Sequence, residues 1–214
     1  MLYLDQPIGV GYSYADEGEV NNSPAAAEDV YAFLILFICQ FQKYSKLDFH
    51  IAGESYAGTY IPNIASVIYK HNLALQLAPI PTPGVPQLNF KSVMIGNGLT
   101  DPYIQFGSLP DWACKSPYAV FDDPTGPECT SMYAKAPRCQ NLISSCYKTN
   151  SRFSCVPAAL YCWQTYNPIQ QLGLNMYDVR RTCDRSPEKD GPLCYKEMGW
   201  METYLNQPDI KAGP

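Results

Sequence analysis

The chain has 214 residues, 46% of them hydrophobic and only 16% charged, with a formal charge of −5. Its 15 basic side chains are scattered and neither sign forms a long block, which excludes a nucleic-acid surface. The length allows one sizeable core and a second small unit, and the 17 tyrosines suit either a core or a binding cleft.

In chain order, Leu2–Leu4 reads as the end of a buried strand, with no basic leader or long apolar run of a signal peptide. The loop "DQPIGVGYSY" follows. Ser23-Pro24 has the form of an N-cap with proline at the first helical position, and predicts a helix to about Tyr44. Its apolar run from Tyr31 to Phe41 is shorter than the ~20 residues of a bilayer span, so a buried helix is expected and not a membrane anchor. Cys39, beside Phe37, Ile38 and Phe41, is expected to be a buried free thiol. A strand over Asp48–Ala52 leads into Gly53–Gly58, and a helix continues to about His71. "LALQLAPIPTPGVPQ" reads as a proline-rich loop and "FKSVMIGNG" as a third buried strand. This alternation predicts a mostly parallel sheet with helices on both faces.

The composition changes near Asp101-Pro102. Eight of the nine cysteines, Cys114, Cys129, Cys139, Cys146, Cys155, Cys162, Cys183 and Cys194, lie beyond it. No pair is spaced Cys-x-x-Cys, and His50 and His71 lie far upstream, so the set reads as disulfides formed in an oxidising compartment rather than a zinc site. No long helical period is evident here. Stretches such as "YAKAPRCQNLISSCY" and "SCVPAALYCWQTY" read as short helices tied by bridges, and "METYLNQPDIKAGP" as a helix before a stop. Asn21-Asn22-Ser23 is a glycosylation sequon disfavoured by Pro24.

Gly53-Glu54-Ser55-Tyr56-Ala57-Gly58 sets a serine where the strand turns into a helix, with small residues two before and two after it. Larger side chains would collide in so tight a turn. A serine there takes a strained backbone that raises its Oγ above the sheet at a helix N-terminus, where the Tyr56 N–H can stabilise an oxyanion. A glycine-rich turn without chemistry would read the same way. A serine nucleophile needs a base, usually histidine, and neither His50 nor His71 is well placed for it.

"HIAGESYAGTYIP", preceded by "LDQPIGVGYSY" and followed by "VMIGNGLTDP", resembles the serine carboxypeptidases. The likeness continues through "SCYKTNSRFSCVPAALYCW", "NMYDVRRTC", "LCYKEMGW" and "YLNQ", almost the whole chain. It implies an α/β chain: a partial α/β-hydrolase core with the nucleophile elbow over residues 1–101, and over 102–214 an incomplete, disulfide-rich, mainly helical insertion or cap. The implied activity is serine-type release of C-terminal residues from peptides through an acyl-enzyme at acidic pH. Ser55 is then the nucleophile and the Tyr56 N–H an oxyanion donor. In the complete enzyme Glu54, protonated and buried under the insertion, would hydrogen-bond the substrate's terminal carboxylate. Tyr56 and Leu99 would line the pocket before the scissile bond, and Tyr177, Tyr195 and Met198 that of the leaving residue. The implied bridges are Cys114–Cys129, Cys139–Cys162, Cys146–Cys155 and Cys183–Cys194, with Cys39 free.

The resemblance also implies that the family's catalytic Asp and His, its second oxyanion donor and a second substrate-binding glutamate fall outside these residues, making this a central portion of the enzyme. The alternative is an inactive fragment that only binds peptide or a partner chain. An esterase or acyltransferase on the same scaffold is a third reading, against which Glu54 weighs. No cofactor or metal is implied. The expected partners are peptide or protein C-termini and the missing N- and C-terminal portions of the same enzyme, with no nucleic acid and no membrane, in the vacuole or secreted.

Overall fold

In the computed structural model, which describes residues 1–18, 20–79 and 84–213, the chain falls into two units that divide between Thr100 and Asp101. The first is built on α1 (Ser23–Gln40), β1 (Phe49–Glu54), α2 (Ala57–Leu77) and β2 (Phe90–Gly96). Asn22 rather than Ser23 caps α1: its side-chain oxygen accepts from the Ala25 N–H at 2.9 Å. The helix ends at Gln40, and residues Gln42–Tyr44 tighten into a 3-10 turn. By length and composition α1 could cross a membrane, yet its Ala27, Val30, Tyr31 and Leu34 pack with Ile64, Val67 and Ile68 of α2. Helix α2 runs on to Leu77 rather than ending near His71. Residues 73–77 are good helix formers, and the first proline after them is Pro79. Residues 80–83 of the expected proline-rich loop lie outside the described residues.

β1 and β2 pair in parallel, with Ile51 opposite Val93 and Gly53 opposite Ile95. Along β1, Phe49, Ile51 and Gly53 are partly covered, while His50, Ala52 and Glu54 are exposed. Phe49, Ile51 and Phe90 pack on the α1–α2 core. Three expectations fail here. Among the described residues of this unit Leu2–Leu4 forms no strand, helices pack on one face of the sheet instead of two, and β2 is not buried: Val93 is 42% exposed and Met94 53%. Among the described residues the two strands pair only with each other. An apolar run is buried only if a further strand or helix layer lies against it.

Cys39 is exposed, not buried, and its thiol donates to the Gly84 carbonyl at 3.5 Å. The inward stripe of α1 runs through residues 27, 30, 31, 34 and 38, and position 39 lies about 100° around the helix from 38.

The second unit contains α3 (Pro102–Lys115), α4 (Pro127–Thr149), α5 (Arg152–Trp163), α6 (Asn167–Gln170), the hairpin of β3 (Leu174–Asn175) and β4 (Asp178–Thr182), α7 (Glu197–Leu205) and α8 (Pro208–Lys211). The expectation of short helices fails for α4, which has 23 residues. Its buried positions, Cys129, Met132, Ala136, Cys139 and Ile143, alternate by three and four, so half-cystines form part of its apolar face. Asn150, left-handed at φ 45°, ends the helix, and the Ser151 side chain caps α5. Cys114–Cys129 ties α3 to α4. Cys139–Cys162 and Cys146–Cys155, one nested within the other, tie α4 to α5, and Cys183–Cys194 closes the segment after β4. These are the four pairs that the resemblance implies.

Cys114 and Cys129 sit in a core with Leu109, Ala113, Met132 and Ile169. Closing their 15-residue loop is worth about 3 kcal/mol in the chain-entropy model. Replacing both by serine is expected to lower the unfolding free energy of the second unit by about that much or more. Guanidinium unfolding followed by hydrogen exchange checks this, and the exchange of α1 and α2 should stay unchanged.

Candidate active site

Ser55 lies between β1 and α2 with φ 59°, a left-handed conformation that costs a non-glycine residue about 1–2 kcal/mol. Three backbone hydrogen bonds hold it there. Its N–H donates to the Gly96 carbonyl at 3.0 Å, and its carbonyl accepts from the N–H groups of Gly58 (3.0 Å) and Leu99 (2.9 Å). At about 1 kcal/mol each, the three bonds outweigh the strain. The flanking small residues have separate reasons. A Cβ on Gly53 would come within 2.6 Å of the Ala57 Cβ. One on Gly58 would come within 2.6 Å of the Leu99 nitrogen, so the start of α2 rests directly on the chain after β2.

No side chain caps α2. The N–H groups of Gly58, Thr59 and Tyr60 turn back to the carbonyls of Ser55 and Tyr56, while that of Tyr56 makes no such bond. The Tyr56 N–H at this helix N-terminus, beside an exposed serine in a strained turn, can stabilise an oxygen that gains negative charge on attack by Ser55 Oγ. Tyr56 is half exposed and meets the Tyr60 ring edge-on at 4.8 Å. Leu99 is clamped through its backbone: its N–H donates to Ser55, and its carbonyl accepts from the Thr59 hydroxyl at 2.8 Å. Glu54 is exposed on the uncovered face of β1 in this chain; the burial expected of it belongs to the complete enzyme.

Neither histidine reaches Ser55. His50 is five residues back along an extended strand, about 16 Å away, and its Nδ1 is 2.8 Å from Ser92 Oγ. His71 is some 14 residues along α2, about 21 Å on; it stacks on Tyr31 at 4.1 Å, with Nε2 3.3 Å from Glu28. Among the described residues no group of three or more His, Cys, Asp or Glu side chains gathers for a metal ion.

In the second unit the structure brings Tyr177 and Tyr195 together, ring centroids 6.0 Å apart. Tyr177 is at the tip of the β3–β4 hairpin, where buried Asn175 accepts from the N–H groups of Tyr177 (2.8 Å) and Asp178 (3.2 Å). Tyr195 follows Cys194, left-handed at φ 63° and bonded to Cys183. Met198 is exposed one turn later, its N–H donating to the Tyr195 carbonyl. Sequence reasoning missed Thr59, which fixes the Leu99 carbonyl, and Asn175. Asn175 sits two residues before Tyr177 in an Asx-turn, a signal available from the residue type alone.

The serine carboxypeptidase family model matches residues 1–213, and the chain belongs to that family. It is 47% identical over 213 residues to carboxypeptidase Y homolog A of Sordaria macrospora, covering 98% of this chain and 35% of the relative. To carboxypeptidase Y of Candida albicans it is 44% identical over 217 residues, covering 99% and 36%. Among solved structures it resembles Kex1(delta)p, a prohormone-processing carboxypeptidase from Saccharomyces cerevisiae, with a TM-score of 0.68 and 25% identity over 96% of this chain and 44% of that one. The chain thus spans about a third of the length of the sequence relatives it matches.

Two consequences are measurable. Gly58→Ala forces Leu99 and Ser55 apart and is expected to cost about 1–3 kcal/mol, as overpacking does; urea unfolding checks it, and the Leu99 amide should exchange faster. In the hairpin, Arg180 forks onto Asp178 (Nε–Oδ1 2.7 Å, Nη2–Oδ2 2.9 Å) and holds that carboxyl down at about 2. A depressed carboxylate contributes stability above its unfolded value of about 3.9, and that contribution is lost as pH falls through about 2. Carbon-13 titration should find Asp178 near 2, rising in Arg180→Ala but staying below the free carboxylate range, because the residue-180 N–H and Arg181 still favour the charged form.

Proposed function

We propose that this chain carries the nucleophile elbow and part of the substrate pocket of a serine-type carboxypeptidase that releases C-terminal residues from peptides through an acyl-enzyme at acidic pH. The observation that carries this reading is Ser55 held left-handed by Gly96, Gly58 and Leu99, in front of an uncapped helix N-terminus. Ser55 Oγ attacks the scissile carbonyl, and the Tyr56 N–H takes part of the developing charge. Leu99 and Tyr56 receive the side chain before the scissile bond. Glu54, when protonated, donates to the terminal carboxylate. Tyr177, Tyr195 and Met198 receive the leaving residue.

The β1–β2 pair with its helical layer belongs to a larger α/β-hydrolase sheet, and residues 102–214 form a disulfide-stapled insertion in it. The exposed apolar residues of β2 support the first point, and the Kex1(delta)p likeness supports both. The general base and its orienting acid are supplied by portions of the enzyme outside these 214 residues, since both histidines lie far from Ser55. Those portions are its partners, along with peptide C-termini. Four disulfides support an oxidising setting, the vacuole or the secretory route.

A matched pair of proteins tests this: the 214-residue chain alone, and a longer product holding it between the flanking portions of the family. The longer product is expected to hydrolyse a blocked dipeptide with a free carboxylate, and Ser55→Ala to lower that rate by at least about 10³. The chain alone is expected to show background turnover only. Hydrolysis by the longer product that survives Ser55→Ala would refute the assignment.

A further inference from the structure

Thr59, in the first turn of α2, has no part in the chemistry assigned to Ser55, and threonine is a poor helix former. Inside a helix its hydroxyl commonly returns to the carbonyl four residues back. Here that carbonyl belongs to Ser55, and its two lone pairs already accept from the N–H groups of Gly58 (3.0 Å) and Leu99 (2.9 Å). The Thr59 hydroxyl leaves the helix instead and donates to the Leu99 carbonyl at 2.8 Å, 40 residues along the chain.

Leu99 lies three residues beyond the last β1–β2 pair, Glu54 opposite Gly96, so no ladder holds it. Both of its backbone polar groups go to the elbow, the N–H to Ser55 and the carbonyl to Thr59. Gly98 lets the chain come this close. A Cβ there would lie 3.1 Å from the Gly58 Cα and 2.5 Å from Ile95 Cγ2. The Leu99 residue is thus clamped between the carbonyl of Ser55 and a side chain one turn into the following helix. Thr59 and Leu99 are both half-buried, so water replaces the lost donor only in part if the hydroxyl is removed.

We propose that Thr59 is a positioning residue that sets selectivity for the substrate residue before the scissile bond. The inference rests on the reading of Ser55 as nucleophile and Leu99 as a wall of that pocket. The hydroxyl touches no substrate. It fixes the Leu99 backbone, and with it the place of the Leu99 side chain relative to Ser55. A fixed wall favours a side chain that fills the pocket. A wall released at its carbonyl has to be ordered again by the substrate. A leucine before the scissile bond meets that cost, and a glycine, which does not reach the wall, does not.

The values of kcat/KM for blocked dipeptides with leucine or glycine before the scissile bond read the selectivity, in the longer product that holds this chain between the flanking portions. Thr59→Val keeps the shape and removes the donor. It is expected to lower the leucine-to-glycine ratio about fivefold, the worth of one neutral hydrogen bond, mainly through KM for the leucine substrate. Thr59→Ser returns the donor and is expected to return the ratio. Thr59→Ala takes the place of the valine variant if that one loses its native spectrum. In the 214-residue chain, the carbon-13 shift of the Leu99 carbonyl should move upfield in Thr59→Val and hold in Thr59→Ser, which reads the clamp without activity. An equal loss on both substrates, as a purely structural role predicts, or no recovery in Thr59→Ser would overturn the proposal. Leu99→Ala separates the two readings. If it leaves the leucine-to-glycine ratio unchanged, the pocket assignment falls and this proposal with it. If it lowers the ratio and Thr59→Val does not, the proposal alone falls.

Discussion

The tie between Ser55 and the chain after β2 is the constraint on which the candidate site depends. One residue donates to Gly96 and accepts from Gly58 and Leu99, so the end of β1, the start of α2 and the exit of β2 meet at a single peptide. The left-handed backbone of Ser55 would relax without those bonds. Gly58 has to lack a Cβ because the Leu99 nitrogen takes that space, and Thr59 fixes the other side of Leu99. The residue offered as nucleophile and one offered for side-chain recognition are therefore positioned by the same few atoms.

The two units are held by different means. The first relies on apolar packing between α1, α2 and one face of a two-stranded sheet, with Val30, Leu34, Ile64 and Ile68 at the centre. The other face of that sheet, with His50, Met94 and Glu54, is exposed. The second unit has smaller clusters in which half-cystines are themselves core residues: Cys114 and Cys129 beside Met132, and Cys139 and Cys162 beside Ile143. Cross-linking there restrains the unfolded chain and fills the core with the same atoms. Next to the hairpin, Cys183–Cys194 and Asn175 do similar work for the tyrosine pair.

Much of the elbow was legible in the sequence, because small residues around a serine at a strand–helix junction have a steric cause that local spacing displays. The need for Gly58 was only half legible, since its cause is the backbone of Leu99, far along the chain. Thr59 gave no signal, because its role exists only once the chain after β2 lies beside the start of α2. Cys39 was misplaced by weighing its immediate neighbours. Helical burial follows positions three and four apart, and those put Ile38 inward and Cys39 outward. The same rule would have found α4, had Cys129 and Cys139 been counted as apolar with Met132, Ala136 and Ile143. The apolar runs of Leu2–Leu4 and β2 read as buried parallel strands, but burial depends on what lies alongside, which a run does not state.

The central claim, that Ser55 is held in its strained turn by the chain after β2, is tested most directly by amide hydrogen exchange of the native 214-residue chain at single-residue resolution. The Ser55 and Leu99 amides donate across this junction, so they are predicted to exchange as slowly as the β1 amides paired with β2, while the Tyr56 amide exchanges fast. Exchange of Ser55 and Leu99 at the rate of an open loop, with β1 still protected, would contradict the account.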